Sequence, residues 1–317
     1  MNLVVSMFTS ALILATPLAM AALGGLYSER SGVVNIALEG IMLVGAFVAA
    51  AALVLLQDAG VGGIAVWISL ALAVIVGVLF SAIHAVAAIH FRADQTISGT
   101  ALNVLAGGIT IYFSEILFKA KSTKAFLFAF SRITIPVLSD IPIIGKMLFA
   151  GSYPTTYIMV ALVFVTWFVV FKTPFGLRLR SCGEYPQASA SMGINVAKMR
   201  WIGVLTSGAF AGLAGATLVL TTTTFFNLGT VHGLGFIAVA TLIFGKWNPW
   251  GVLVSAIFFG FSQILGQYAT SIPFLMGWPS EFFALFPYLV TIIAIIFFSR
   301  KQVGPKASGE IYDSGKR

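Results

Sequence analysis

The amino-acid sequence predicts an all-α, polytopic integral membrane protein. It has about nine transmembrane helices, an external N-terminus, an internal C-terminus and one short helix presented on the cytoplasmic side. Three observations carry that prediction. The 317-residue chain is 59% hydrophobic and only 9% charged, with a mean hydropathy of +1.01, whereas a soluble domain carries about 25% charged residues. Its apolar runs are long and continuous, as in "VLVSAIFFGFSQILGQYA". A barrel strand would alternate over about ten positions, while a helix needs roughly 20 apolar residues to cross the hydrocarbon. Finally, the Lys and Arg residues are unequally shared between the two sides that these runs define.

Apolar runs and their polar punctuation place the spans at roughly 3–26, 36–56, 63–89, 96–118, 153–171, 202–221, 230–245, 250–271 and 283–299. The first contains "LAMAA" (Leu18 to Ala22), which looks like a signal-peptidase site, but no Lys or Arg precedes Arg30. A signal peptide wants a positive n-region, so a retained span is expected. The second opens on Asn35 and Glu39, four residues apart and therefore on one helix face. An ionisable group within a span costs about 2.5–3.5 kcal/mol on insertion scales and so faces protein or water. Two readings stand. The pair braces a helix break near the cytoplasmic end, pairing with Arg30 or Arg92, or it lines a path and hydrogen-bonds a polar solute. Its inward placement favours the structural or gating role. The fourth span is entered through Thr96 and Ser98 and carries Asn103. In the sixth, "SGAFAGLAGA" repeats small residues every four positions (Gly208, Ala211, Gly212, Gly215), a face that lets helices approach closely in lipid. The seventh is short and sits beside Gly229, Gly233 and Gly235, which points to a broken or partly re-entrant helix.

Orientation follows from the cations. With the C-terminal tail inside, every one of the 18 Lys and Arg residues except Lys119, Lys121, Lys124, Arg132 and Lys146 lies inside. The formal charge of +8 therefore reports topology, and no soluble basic face is left to bind nucleic acid. Residues 1–300 read as one membrane domain and 301–317 as a cytoplasmic tail. The five exceptions cluster in the longest external segment, about 119–152, as tolerated charge or as a docking surface for a protein with an acidic rim.

Between the fifth and sixth spans lies "KTPFGLRLRSCGEYPQASASMGINVAKMRW" (Lys172 to Trp201), too long for a simple connection. Gly183 precedes Glu184, Pro186 suits a first helical turn, and Gly193 is a C-terminal stop after Met192. One short helix at about 184–192 is expected. It lacks the large apolar face that would lay it on lipid, but its small side chains suit a groove on another protein.

That loop, the "SGAFAGLAGA" after it, and "ERSGVVNIALEG", "RADQTISGTALNVLA", "GFIAVATLIFGKWNPWG" and "PYLVT" together resemble the permeases of ABC importers for nucleosides, simple sugars and branched-chain amino acids. The opening segment is most similar to the nucleoside type, and the length to the shorter of two paired permeases. The resemblance implies a coupling helix docked on a separate ATPase subunit, which holds ATP and magnesium. It also implies a longer permease paralogue, an external substrate-binding lipoprotein, a small polar solute and a bacterial-type plasma membrane. The chain itself offers no energy site: Gly145-Lys146 and Gly245-Lys246 lack the remainder of a phosphate loop. His84, His90 and His232 are scattered, the single Cys182 allows no intrachain disulfide, and no metal-ligand spacing occurs. No cofactor or catalytic group is expected in this chain. Candidates for the solute path are Thr96, Ser98, Asn103, Phe225, Phe226, Asn227, His232 and Phe236. Rings to stack and amides to hydrogen-bond suit a nucleoside, although any of these residues could instead satisfy a helix end. The external cations become candidates for lipoprotein docking. Alternatives are a simple sugar or riboflavin-like solute, or an ion-coupled carrier using Glu39 and Glu115. The coupling-type loop and the lack of other intramembrane acids argue against the last.

Overall fold

The computed structural model describes residues 2–136, 150–268 and 304–313, with isolated positions 139, 141, 285, 289 and 292. Long apolar segments become helices throughout. They are α1 (Asn2–Arg30), α2 (Leu38–Asp58), α3 (Ile64–Ala85, continued by a π-helical turn, Val86–His90), α4 (Gln95–Phe118), α5 (Pro154–Lys172), α6 (Pro174–Glu184), α7 (Pro186–Ser191), α8 (Val196–Thr222), α9 (Leu234–Phe244) and α10 (Pro249–Tyr268). Two short strands, β1 (Ile133–Thr134) and β2 (Ala150–Ser152), pair antiparallel between α4 and α5. Seven of these helices are long and apolar enough to cross a membrane. They match the first six expected spans and the eighth. The ninth, 283–299, lies outside the described residues but for the isolated positions 285, 289 and 292.

Helix starts follow local chemistry. Asp94 accepts the amides of Thr96 and Ile97 at 2.8 and 2.9 Å, and Asn195 accepts that of Lys198 at 2.9 Å, satisfying donors that a first turn leaves unpaired. The core forms where α1, α2 and α3 close around α8. The small-residue face of α8 does what its spacing predicts. A β-carbon on Gly212 would collide with the backbone of Ala73 on α3, and one on Gly45 of α2 would lie 2.6 Å from the Gly212 carbonyl. Only bare backbones fit at that separation.

The loop between α5 and α8 differs from expectation. It holds two helices instead of one. Glu184 closes α6, Tyr185 leaves helical geometry (φ −144°, ψ 84°), and α7 starts at Pro186. The cause is local, since a proline ring pushes the preceding residue out of the α region. Gly193, at φ +81°, ends the segment as predicted. Cys182 is buried in α6, and that burial raises its thiol pKa above the ordinary value.

Candidate functional site

Between α1 and α2 the chain abandons helical geometry over residues 31–37. Inside a bilayer such a stretch must find all its hydrogen-bond partners within the protein. It finds them on three other helices. The Val34 amide donates to Gln95 Oε1 (2.7 Å) and its carbonyl meets His84 Nε2 (3.0 Å). The Ile36 carbonyl accepts from Asn103 Nδ2 (3.0 Å), and Asn103 Oδ1 takes the Gly40 amide (2.8 Å). Asn35, only 2% exposed, donates to Ser207 Oγ (2.8 Å) and accepts the Ala37 amide (3.1 Å). Ser98 Oγ holds His84 Nδ1 at 3.0 Å, so it orients the ring that holds the bend.

Glu39, at the start of α2, answers a need of α9. Its Oε1 accepts the Gly233 amide at 2.8 Å and its Oε2 the Gly235 amide at 2.6 Å. These are first-turn donors of a helix, and a carboxylate there also complements the helix dipole. The expected pairing of Glu39 with Arg30 or Arg92 does not occur. Arg30 faces Glu184 (3.9 Å) and donates to the Trp247 carbonyl (3.0 Å), while Arg92 pairs with Asp313 (3.1 Å). The reason is depth. With 11 residues, α9 is about 16 Å long at about 1.5 Å per residue. It leads from Glu39 to Trp247, whose indole donates to Glu29 at 2.6 Å. Glu39 therefore stands well inside the bundle, out of reach of cations at its end. The short seventh segment is a half-length helix whose first turn is anchored in the interior.

The lining candidates separate into groups. Phe225, Asn227, His232 and Phe236 are exposed around the start of α9, and His232 takes a left-handed backbone (φ +49°) just before the amides that Glu39 holds. Asn227 shapes its own turn by receiving the Thr230 amide on its carbonyl at 3.0 Å. Asn103 reaches α2 at Gly40, the residue after Glu39, with both ends of its amide engaged. Phe226 does not belong to the open face. It is 1% exposed, packs edge-on against Phe47 at 5.4 Å, and its amide and carbonyl are bound to Thr123. Thr96 is exposed in the first turn of α4, away from the Glu39 junction, and Ser98 serves His84.

At the end of the bundle that carries α6 and α7, Gly183 packs so tightly that a β-carbon would lie 2.5 Å from the Arg30 carbonyl. Glu184 and Pro186 flank the break, and Met192 projects with 83% of its surface exposed. At the other end, Lys119 closes α4 in a left-handed conformation, Lys121 and Lys124 are exposed, and the Arg132 guanidinium lies 5.7 Å from the Tyr153 ring. Lys146 lies outside the described residues. This loop is fastened: Gln57 bonds both the Leu127 amide and the Phe128 carbonyl at 2.7 Å, and the Phe126 amide reaches the Thr224 carbonyl at 3.0 Å.

Residues 7–295 match the family described as branched-chain amino acid transport system / permease component. The chain belongs to that family. This permease is 47% identical over 306 residues, 96% of each chain, to the guanosine ABC transporter permease protein NupQ of Bacillus subtilis (strain 168). It is 40% identical over 306 residues, again 96% of each, to the nucleoside ABC transporter permease protein NupC of Lactococcus lactis subsp. cremoris (strain MG1363). A second Bacillus subtilis (strain 168) protein, the guanosine ABC transporter permease protein NupP, is 29% identical over 270 residues, covering 84% of this chain and 74% of NupP. Sequence reading of the permease missed His84, Gln95 and Ser207, which hold the bend. Their only signal was polarity inside apolar runs, as in "VLFSAIHAVA". It also missed Arg200, buried at the start of α8, because one Arg among many basic residues of that loop carries no mark of burial.

Proposed function

We propose that this permease is the shorter of two paired permeases in an ABC importer of nucleosides, guanosine among them. The observation that carries the reading is its 47% identity to a guanosine permease across nearly all of both chains. NupP, a longer relative from the same Bacillus subtilis strain as NupQ, supports a longer paralogue as the second half of the path. In this reading the chain crosses the plasma membrane of a bacterial-type cell nine times, with 283–299 the ninth span, the N-terminus outside and the C-terminus inside. The open face at Phe225, Asn227, His232 and Phe236, with Asn103 across α2, is this chain's half of the lining. Thr96 lies toward its inner mouth. The Asn35–Ser207 and Glu39–Gly233 contacts hold two interrupted helices beside it, where a change of shape opens or shuts the path. The segment Gly183–Gly193 docks on an ATPase subunit, which holds ATP and magnesium and does the chemistry. The cations Lys119, Lys121, Lys124, Arg132 and Lys146 meet a substrate-binding lipoprotein.

The test is uptake of radiolabelled guanosine by the reconstituted four-component assembly, with ribose, galactose and riboflavin as competitors. ATP-dependent uptake blocked by other nucleosides and indifferent to the competitors is the expected result. Uptake blocked by sugars alone would replace the substrate and keep the permease. Uptake by this chain without ATP, on a proton or sodium gradient, would overturn the mechanism.

A further inference from the structure

The segment Gly304–Asp313 lies across the end of the bundle that carries α6 and α7. Two of its amides, two residues apart, bond to two different parts of the chain. The Ala307 amide donates to the Gly183 carbonyl at 2.9 Å, and the Gly309 amide to the Gly32 carbonyl at 3.3 Å. Gly183 belongs to the proposed ATPase-docking arm, and Gly32 opens the bend between α1 and α2. The segment is thus bonded at once to the arm and to the bend.

Arg200 fixes the segment in place. Its side chain is 1% exposed, its Nη1 donates to the Glu310 carbonyl at 3.0 Å, and its guanidinium lies 5.7 Å from the Tyr312 ring. Its Nε and Nη2 have no hydrogen-bond acceptor among the described residues. The tail therefore supplies the hydrogen bond that this buried cation makes. Without the tail, the guanidinium would lose both that hydrogen bond and the Tyr312 ring beside it. The far end is pinned by the Arg92–Asp313 pair at 3.1 Å, and the near end by Lys306, whose ammonium donates to the Tyr185 hydroxyl at 2.8 Å, at the α6–α7 break.

We propose that residues 304–313 form a positioning strap, which ties the α6–α7 arm to the α1–α2 bend so that displacement of the arm by the ATPase reaches the junction at Glu39. This rests on the function proposed above and adds to it the route by which the arm acts. A tail that merely trailed into the cytoplasm would be dispensable for coupling.

Two measurements test it. Hydrogen exchange on the full-length permease in the assembly reads the strap directly. The Ala307 and Gly309 amides are expected to exchange about a hundredfold more slowly than in a free chain, and exchange at the free-chain rate would overturn the proposal. The second compares the full chain with one ending at residue 303, reading ATP hydrolysis and guanosine uptake together. Uptake per ATP is expected to fall about tenfold, within the range of coupling between distant sites, while ATP hydrolysis persists. Unchanged uptake per ATP would overturn the strap, as would loss of both activities in proportion, which marks a role in stability alone. Should the shortened chain fail to assemble, Ala307→Pro in the full chain removes the amide bonded to Gly183 and, by constraining Lys306, weakens the near end of the strap as well, and the same two outcomes decide. An assembly that imports no nucleoside with its tail intact defeats the proposed function, and the exchange measurement then judges the strap by itself.

Discussion

Glu39 places a full charge against the first amides of a helix that begins in the interior. A glutamine has the same shape but only one strong acceptor, and its NH2 group would face the other backbone N–H. Losing a buried hydrogen bond of this kind costs about 1–3 kcal/mol. Glu39→Gln is therefore expected to loosen the start of α9 and slow guanosine uptake about tenfold or more, by the usual conversion of energy to rate. Guanosine affinity, measured on the detergent-solubilised assembly, is expected to stay close to that of the native protein. A variant with normal turnover and weakened binding would instead make Glu39 a solute ligand. Asn103 invites a parallel test. Both ends of its amide hold the bend, at Ile36 and Gly40, so Asn103→Ala is expected to lower thermal stability as well as transport. Asn227→Ala, at an exposed turn, should leave stability nearly unchanged. The polar character of these residues was legible in the sequence. Their partners were not, because the Glu39 contacts join positions 194 and 196 residues apart. No local spacing encodes such a meeting.

Among helices, the contact of α3 with α8 depends on absent side chains. Gly212 faces the Ala73 carbonyl and Gly77. Gly212→Leu is expected to destabilise the folded chain by about 3 kcal/mol or more, at the upper end for overpacking, seen as a lower unfolding temperature in detergent. Gly63→Ala meets nothing within 4 Å and serves as a silent control. This face was readable, because small residues at four-residue spacing have a direct geometric meaning. So was the stop at Gly193. The break at Tyr185 was carried by Pro186, one residue later, and the proline was read only as a helix start when it also forbids helix behind it. The short α9 was half readable. Its flanking glycines announced a break, but the break's depth depends on α2. For α7, the exposed Met192 is the side chain best placed to enter a partner's groove. Met192→Asp is expected to uncouple ATP hydrolysis from guanosine uptake without disturbing membrane insertion, checked by uptake per ATP in the assembly.

For the whole molecule, the two ends differ in charge and in what covers them. The 119–132 loop combines Lys119, Lys121, Lys124 and Arg132 with an exposed Leu127 (87%) and is fastened to the body through Gln57. A rigid basic surface of this kind steers an acidic partner, and such steering appears mainly in the association rate and its salt dependence. Reversing Lys119, Lys121 and Lys124 to Glu is expected to slow lipoprotein association about tenfold or more at low ionic strength, with the difference shrinking as salt screens the charges. Surface-plasmon kinetics across a salt series would show it, and equal rates at low salt would exclude this surface. The native chain is also a ready host for such measurements. Its one thiol, Cys182, is buried in α6 and its pKa is raised by that burial, and a buried, protonated thiol is inert toward alkylating probes. A fluorophore directed to a cysteine introduced at Leu127 would find no competing site, so the arrival of the lipoprotein could be watched on a permease that needs no background cysteine removed.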